Sequence, residues 1–483
     1  MQFNKTLQGL IWTFLERVSA QLVSVVVGII LARLLSPNEY GIISIVMIFI
    51  TICNVFVTRG FGATLVQKNK VDNLDYNTAF WISLLLALAL YALLFLVAPY
   101  IEAYYKIPSL AAVIRVLSLR VPLAAVNSIQ QAYIQRQMLF KKFFWATLIG
   151  TIVSGFVGVV LAYSGFGVWA LVTQYLCNVI LDTIILSFVS GLRIGVQISV
   201  SRLEYIVKFG GSVLLSDLIS VLADNFRNFI VAKRLGPADL SYLEQGKKYP
   251  QLIAGNLNTA IQKVFLSVFS RDQDNIYEIK RKMRKAIKIG AYIFAPIMIG
   301  FSCVSSEFIS TILTDKWMPV RPFLISYAVG FILYPAGAIC SQAILAIGKS
   351  SRVFKILLYV SIIDISLSTL AVYVLKTSFY ICISIVIATF ISNFLFLFEA
   401  KKEFNYLVTE QLRDVMPSVF ASCIMATVVC TVGVWIKSTA IAFILKILTG
   451  IVVYIFINVV CKTELFLYFN EMRARRNNKN DEL

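Results

Sequence analysis

Apolar runs of roughly 20 residues or more recur from one end of the chain to the other. Each is long enough to cross a hydrocarbon core of about 30 Å as an α-helix. The runs fall near residues 8–34, 41–66, 78–100, 110–135, 143–163 and 168–191, then near 203–232, 238–270, 281–304, 323–347, 353–375, 379–400, 411–436 and 440–462. In lipid, backbone amides must be satisfied within the segment, so this pattern predicts an all-α polytopic membrane protein of about 14 helices. The first run is too long for a cleavable signal peptide and has no small-residue cleavage site, so it is expected to stay as a helix.

The polar interruptions carry a repeat. Ala32-Arg33-Leu34-Leu35-Ser36-Pro37-Asn38-Glu39-Tyr40-Gly41 closes the first run, and Ala232-Lys233-Arg234-Leu235-Gly236-Pro237-Ala238-Asp239-Leu240-Ser241 closes the seventh. Both place a basic residue, Leu, a small residue, Pro and an acid in that order, as a helix stop followed by a capped start requires. Six spans separate the copies, so the halves enter the membrane in the same direction, like parallel repeats. The expected organisation is an N-terminal lobe over 1–200, a C-terminal lobe over 201–405, and two extra helices with a basic tail over 406–483.

Composition agrees with lipid as the main solvent: 59% of the 483 residues are hydrophobic and 14% are charged, against about a quarter charged in soluble domains. A net charge of +19 would suit a nucleic-acid binder, yet the cations are dispersed over alternate loops instead of forming one patch. Lys68, Lys70, Arg136, Lys141, Lys142, Arg193, Arg202, the stretch Arg271 to Lys288, Lys349, Arg352, Lys401, Lys402 and the tail lie on one side. Fewer, such as Arg33, Lys106, Lys316 and Arg321, lie on the other. The positive-inside rule then places both termini in the cytoplasm and requires an even number of helices.

Charges inside the spans are costly and mark functional candidates. At 100° per residue, Asp217, Ser220, Asp224, Arg227 and Asn228 share one face of the seventh helix. Glu244, Lys248, Gln251, Gly255, Asn258, Thr259 and Gln262 do so on the eighth, with Lys247 beside them. The first helix offers Thr13, Arg17, Gln21, Ser24 and Gly28, and the fourth Arg120, Asn127 and Gln131. Such faces either line a shared hydrated cavity or neutralise one another between packed helices, as Asp224 with Arg227 and Glu244 with Lys248 could. Arg59, Lys263 and Lys446 are read as snorkelling to an interface. Asp182 and Asp364 are lone acids within spans, suited to ion coupling or to bonds with neighbouring Ser.

Eight Cys without a C-x-x-C pair read as packing residues rather than metal or redox sites, and the absence of His removes imidazole chemistry. No cofactor or metal is expected.

Leu31 to Gly41 (LARLLSPNEYG), Gly60 to Lys68 (GFGATLVQK), Arg136 to Lys142 (RQMLFKK), Gly165 to Val172 (GFGVWALV) and Leu235 to Tyr249 (LGPADLSYLEQGKKY) resemble the Wzx-type polysaccharide flippases of bacterial O-antigen, capsule and exopolysaccharide assembly. These belong to the multidrug/oligosaccharidyl-lipid/polysaccharide exporter superfamily. The resemblance implies two six-helix lobes and movement of an undecaprenyl-pyrophosphate-linked oligosaccharide across the inner membrane by alternating access, without catalysis. It implies pyrophosphate contacts at Arg17, Arg59 and Lys247 or Lys248, to which the polar-face pattern adds Arg120. Gln21, Asp217, Asp224, Arg227, Glu244, Gln251, Asn258 and Asp364 are the cavity or coupling candidates. Partners would be the lipid-linked substrate, membrane lipid and other polysaccharide assembly proteins, with coupling to H⁺ or Na⁺ left open. The alternatives are a cation-coupled multidrug exporter of the same superfamily, and a membrane polysaccharide polymerase or glycosyltransferase. The latter lacks a sizeable extramembrane segment bearing paired acids or a metal site.

Overall fold

A computed structural model describes residues 2–59, 62, 65, 68, 71–272, 275–375, 377–436 and 438–461. Among these, twelve helices are long and apolar enough to cross a membrane. Two more long helices, of 35 and 34 residues, stand at the seventh and eighth places and carry the polar faces. The chain divides into two compact units, Met1–Ser241 and Tyr242–Leu483.

The first unit runs through α1 (Gln2–Leu34), α2 (Pro37–Asn54, extended by a wider π turn over Val55–Arg59), α3 (Asn73–Tyr105), α4 (Leu110–Leu117), α5 (Arg120–Arg136), α6 (Phe140–Tyr163), α7 (Val168–Ser190) and α8 (Val200–Arg234). α9 (Pro237–Ser270) begins in the first unit and continues into the second. The second unit adds α10 (Ile276–Cys303), α11 (Arg321–Gly330), α12 (Tyr334–Ala346), α13 (Ser350–Leu370), α14 (Ser378–Phe404), α15 (Val408–Val434) and α16 (Thr439–Val460). The single span expected at 110–135 is broken at Ser118-Leu119, so that Arg120 opens a new helix.

The repeated corner is built as its residues dictate. Ser36 caps α2: its hydroxyl accepts the Glu39 amide at 3.4 Å, and Glu39 Oε2 accepts the Ser36 amide at 2.6 Å, which closes a capping box ahead of Pro37. In the second copy Gly236 takes φ +101°, a conformation glycine adopts without penalty, and Pro237 starts α9. The copies touch: a Cβ on Gly41 would lie 1.9 Å from the Pro237 carbonyl oxygen.

Between apolar helices in lipid, close approach replaces the hydrophobic effect as the source of packing. On α6, Gly155 leaves 2.5 Å between its would-be Cβ and Val27 of α1, and Gly158 leaves 2.7 Å to Gln174 of α7. Large side chains such as Phe156 and Phe188 stay exposed on the outer surface. The second unit has a tight core where Met283, Ile287, Ile339, Cys340, Phe404 and Tyr406 meet. Packing does not account for every cysteine: Cys423, Cys430 and Cys461 are exposed, on helices whose outer faces are apolar.

One end of the first unit is tied by ions. Arg202, at the start of α8, forks across two acids of α3, with Nη1 on Asp75 Oδ1 at 2.7 Å and Nη2 on Asp72 Oδ2 at 2.8 Å. Lys68 adds a third bond, to Asp75 Oδ1 at 2.6 Å. The connecting segment lies along α3, since Gly195 donates its amide to Asn77 Oδ1 at 2.8 Å and accepts Trp81 Nε1 at 2.9 Å. The Asp75 amide and then the Arg202 guanidinium hold the Asp72 carboxyl below the usual carboxylate range. A depressed folded pKa gives stability that is present above the unfolded value of about 3.9 and is lost as pH falls through the folded one. The tie should therefore hold from neutral pH to about pH 4 and release below it. Hydrogen exchange at residues 72–78 and 195–202, corrected for intrinsic rates, should rise only under that point. Unchanged protection at pH 3 would refute the assignment.

Candidate functional site

The end of α2, the inner face of α5 and the middle of α7 enclose a polar cavity of about 670 Å³ in the first unit. α2 changes from α to π winding at Val55, a local widening often found at functional positions. Asn54 and Thr58 stand at that change, with Thr58 Oγ1 donating to the Asn54 carbonyl at 2.8 Å. α5 contributes Arg120, Asn127, Ser128, Gln131 and Gln135, and α7 contributes Asn178 and Asp182. Gln131 Nε2 donates to Asn127 Oδ1 at 2.5 Å, which aligns the two amides along one helix face.

Arg120 has soft company. Its Nη1 lies 3.7 Å from Met47 Sδ, and its guanidinium stands 5.4 Å over the Tyr175 ring. A sulfur and an aromatic face are weak partners for a cation, so its donors stay available to a guest. Asp182 lies within electrostatic reach of Arg120 and of Glu16. Its Oδ1 is buried without a hydrogen-bond partner, as is Asn54 Oδ1. The carboxylate fits because α6 presents Gly150 there: a methyl group at that position would lie 2.3 Å from Asp182 Oδ1.

The other predicted residues are distributed over both units. In the first, Arg17 is exposed and Gln21 half-buried on α1, while α8 carries Asp217 and Arg227 half-buried and Asp224 exposed. In the second, Glu244, Lys247 and Lys248 are half-buried on α9, Gln251 is exposed, and Asp364 is half-buried on α13. The side chains of Arg59, Asn258 and Lys263 lie outside the described residues. Lys248 stands 5.8 Å over the ring of its neighbour Tyr249. Among the described residues, neither Arg17 nor Lys248 is within ion-pair distance of an acid. Arg120, expected at the pyrophosphate, lines the polar cavity together with Asn127, Gln131 and Asp182, which the sequence also singles out. Gln135 continues the Asn127 and Gln131 spacing by one more turn of α5, whereas Asn54 and Asn178 stand on other helices, where no spacing links them to that face. Polar amides in otherwise apolar spans were the available signal.

The second unit holds a cavity of the opposite character. An apolar groove of about 440 Å³ is lined by Pro296, Phe301 and Phe308, by Met425 and Val429 of α15, and by Phe443, Ile447 and Ile451 of α16. Lys446 also borders it. Lys446 does not snorkel: it is 7% exposed, and its Nζ meets Glu307 Oε1 at 2.5 Å. The stem crosses α15 at Gly433, where a Cβ would lie 2.1 Å from Lys446 Cε. A specific partner and a glycine-sized gap hold the amine inside.

Residues 30–322 match the family described as polysaccharide biosynthesis protein. The lipopolysaccharide biosynthesis protein WzxC of Escherichia coli (strain K12) is 21% identical over 369 residues, 75% of each chain. The teichuronic acid biosynthesis protein TuaB of Bacillus subtilis (strain 168) is 20% identical over 365 residues, 73% of each chain. Among solved structures, the lipid II flippase MurJ in an inward closed conformation is similar in fold, with a TM-score of 0.77 at 17% identity over 95% of this chain and 100% of that one. An inward-facing multidrug resistance transporter of the MATE family has a TM-score of 0.61 at 14% identity, over 79% of this chain and 95% of that one.

Proposed function

The chain belongs to the polysaccharide biosynthesis protein family, and from that premise we propose that it moves an undecaprenyl-pyrophosphate-linked oligosaccharide across the bacterial inner membrane. One observation carries the reading: an otherwise apolar chain supplies a polar cavity of about 670 Å³ and an apolar groove of about 440 Å³. An oligosaccharide joined to a long lipid needs both kinds of surface. Relatives whose names place them in lipopolysaccharide and teichuronic acid biosynthesis, and a lipid II flippase of similar fold, support the same substrate class. Transport of this kind breaks no covalent bond, so the protein is a carrier rather than a catalyst.

In this reading α8 and α9 are the seventh and eighth of 14 spans, both termini are cytoplasmic, and lobes over 1–200 and 201–405 alternate access while 406–483 is an addition. Arg17, Arg59, Lys247 and Lys248 receive the pyrophosphate, Arg through its planar fork and Lys as a point charge. Asp217, Asp224 and Asp364 are the candidate acids for H⁺ or Na⁺ coupling, and other polysaccharide assembly proteins would meet the cytoplasmic and periplasmic faces. An inside-negative potential favours outward movement of the anion by about 2.3 kcal/mol per charge per 100 mV. In proteoliposomes holding the purified protein, a labelled lipid-linked oligosaccharide should become accessible from the opposite leaflet faster than in empty vesicles. Equal rates would overturn the proposal.

A further inference from the structure

Spacing along the chain pairs none of the eight Cys, but folding brings two of them together at one end of the second unit. α10 and α15 pack closely there: a Cβ on Gly300 would lie 3.4 Å from Met425 Cε, and Cys303 packs against the buried cluster of Val304, Ala421, Met425 and Val429. Cys303 is the last residue of α10, and Cys430, next to Val429, stands one turn before the end of α15. Their thiols are hydrogen-bonded to each other across the helix pair. Cys303 is half-buried and Cys430 is exposed, so one sulfur is held in place while the other can be reached from outside. Sulfurs in such contact need only small side-chain rotations to reach the roughly 2.05 Å of a disulfide. Cys423, two turns earlier on α15, acts on Cys303 electrostatically. On the topology proposed above, both helices run outward from the cytoplasm, which puts this end at the periplasmic face. The bacterial periplasm is a compartment in which disulfides form and persist.

We infer that Cys303 and Cys430 are a disulfide site, closed by exchange with the disulfide form of a periplasmic dithiol oxidoreductase, and that the bond staples α10 to α15. The exposed Cys430 thiolate attacks the oxidant's disulfide, forming a mixed disulfide and releasing one oxidant sulfur as thiolate. Cys303 then attacks Cys430 Sγ and expels the second oxidant sulfur. The two thiol protons pass through water to the departing sulfurs, so the chain loses two electrons and the oxidant gains two. The bond closes residues 303 to 430 into one loop, and a long closed loop stabilises a fold by restricting its unfolded chain. The same helices wall the apolar groove, α10 with Phe301 and α15 with Met425 and Val429, so the staple holds that wall together at its outer end. The periplasmic placement rests on the proposed topology, whereas the pairing of the thiols does not.

The test maps peptides of the full chain by mass spectrometry without reductant. Wild type purified in detergent and held with glutathione disulfide should yield a peptide pair joined through Cys303 and Cys430, and Cys423→Ser should yield the same pair. Cys303→Ser should stop at the first step, with glutathione on Cys430. Absence of the joined pair from wild type, or a pair joined through Cys303 and Cys423 in its place, would overturn the inference without reliance on any variant. Dithiothreitol should lower the unfolding temperature of the oxidised wild type by several degrees and leave that of Cys303→Ser unchanged. Equal temperatures for oxidised and reduced wild type would overturn the staple. In membranes of aerobically grown cells, with free thiols alkylated before lysis, the joined pair should already be present. A pair that forms only with glutathione disulfide would uphold the site and reject the periplasmic placement of this end.

Discussion

Lys446→Ala is expected to destabilise the second unit by about 3–5 kcal/mol, the range for removing one member of a buried ion pair. The side chains of Lys446 and Glu307 are 9% and 15% exposed, with 2.5 Å between the charges. Removing the amine strands the Glu307 carboxylate, whose Oε2 already lacks a partner. It also empties the space above Gly433 through which the lysine stem passes. Replacing both charges, with Lys446→Met and Glu307→Leu together, should recover most of the loss, because a matched apolar pair avoids desolvation altogether. Thermal unfolding in detergent checks both outcomes. A single variant as stable as wild type would show that the pair contributes nothing.

The second large effect concerns transport. Arg17→Ala combined with Lys248→Ala should slow flipping of the lipid-linked oligosaccharide by roughly 100-fold or more, since each removes a charge-assisted contact of about 1.5–3 kcal/mol. A cation already committed to an acid would give a smaller effect on substrate and a larger one on stability. Among the described residues neither lies within ion-pair distance of an acid, and the charge of Arg17 acts on its neighbour Glu16 from further off. Arg17→Lys should restore only part of the rate, because an ammonium cannot reproduce the two-oxygen grip of a guanidinium. Full activity in the double variant, assayed in proteoliposomes against empty vesicles, would remove these residues from the substrate path.

Much of the fold could be read from one-dimensional signals. Runs of lipid-compatible residues locate the helices because the bilayer imposes both length and internal hydrogen bonding. The corner at Ser36-Pro37-Asn38-Glu39 is legible because capping is decided by residues three apart. The break before Arg120 was not, since Ser118 and Leu119 carry no helix-stopping chemistry and the neighbours decide where α4 ends. The polar cavity shows the same limit. Arg120, Asn127 and Gln131 are related by helical spacing on one element, but Asn54, Asn178 and Asp182 come from two others. Helical periodicity says which residues share a face and nothing about which faces meet. Lys446 illustrates the converse error: a lone cation near a span end suggests snorkelling, and only Gly433 and Glu307, distant in sequence, reveal the pocket that holds it.

The meeting of Gly41 with Pro237 makes the two corners unlike in what they tolerate. The two similar segments occupy unlike roles, the earlier as a hollow and the later as a knob. The residue matching Gly41 in the later copy, Ser241, is 1% exposed and binds its own helix through the Ala238 carbonyl at 2.7 Å. The two segments are therefore not interchangeable: grafting the later decapeptide over the earlier would put a hydroxymethyl group where backbone presses on backbone. Position 41 has room for no side chain against the Pro237 carbonyl, while position 241 carries a hydroxymethyl group bonded within its own helix.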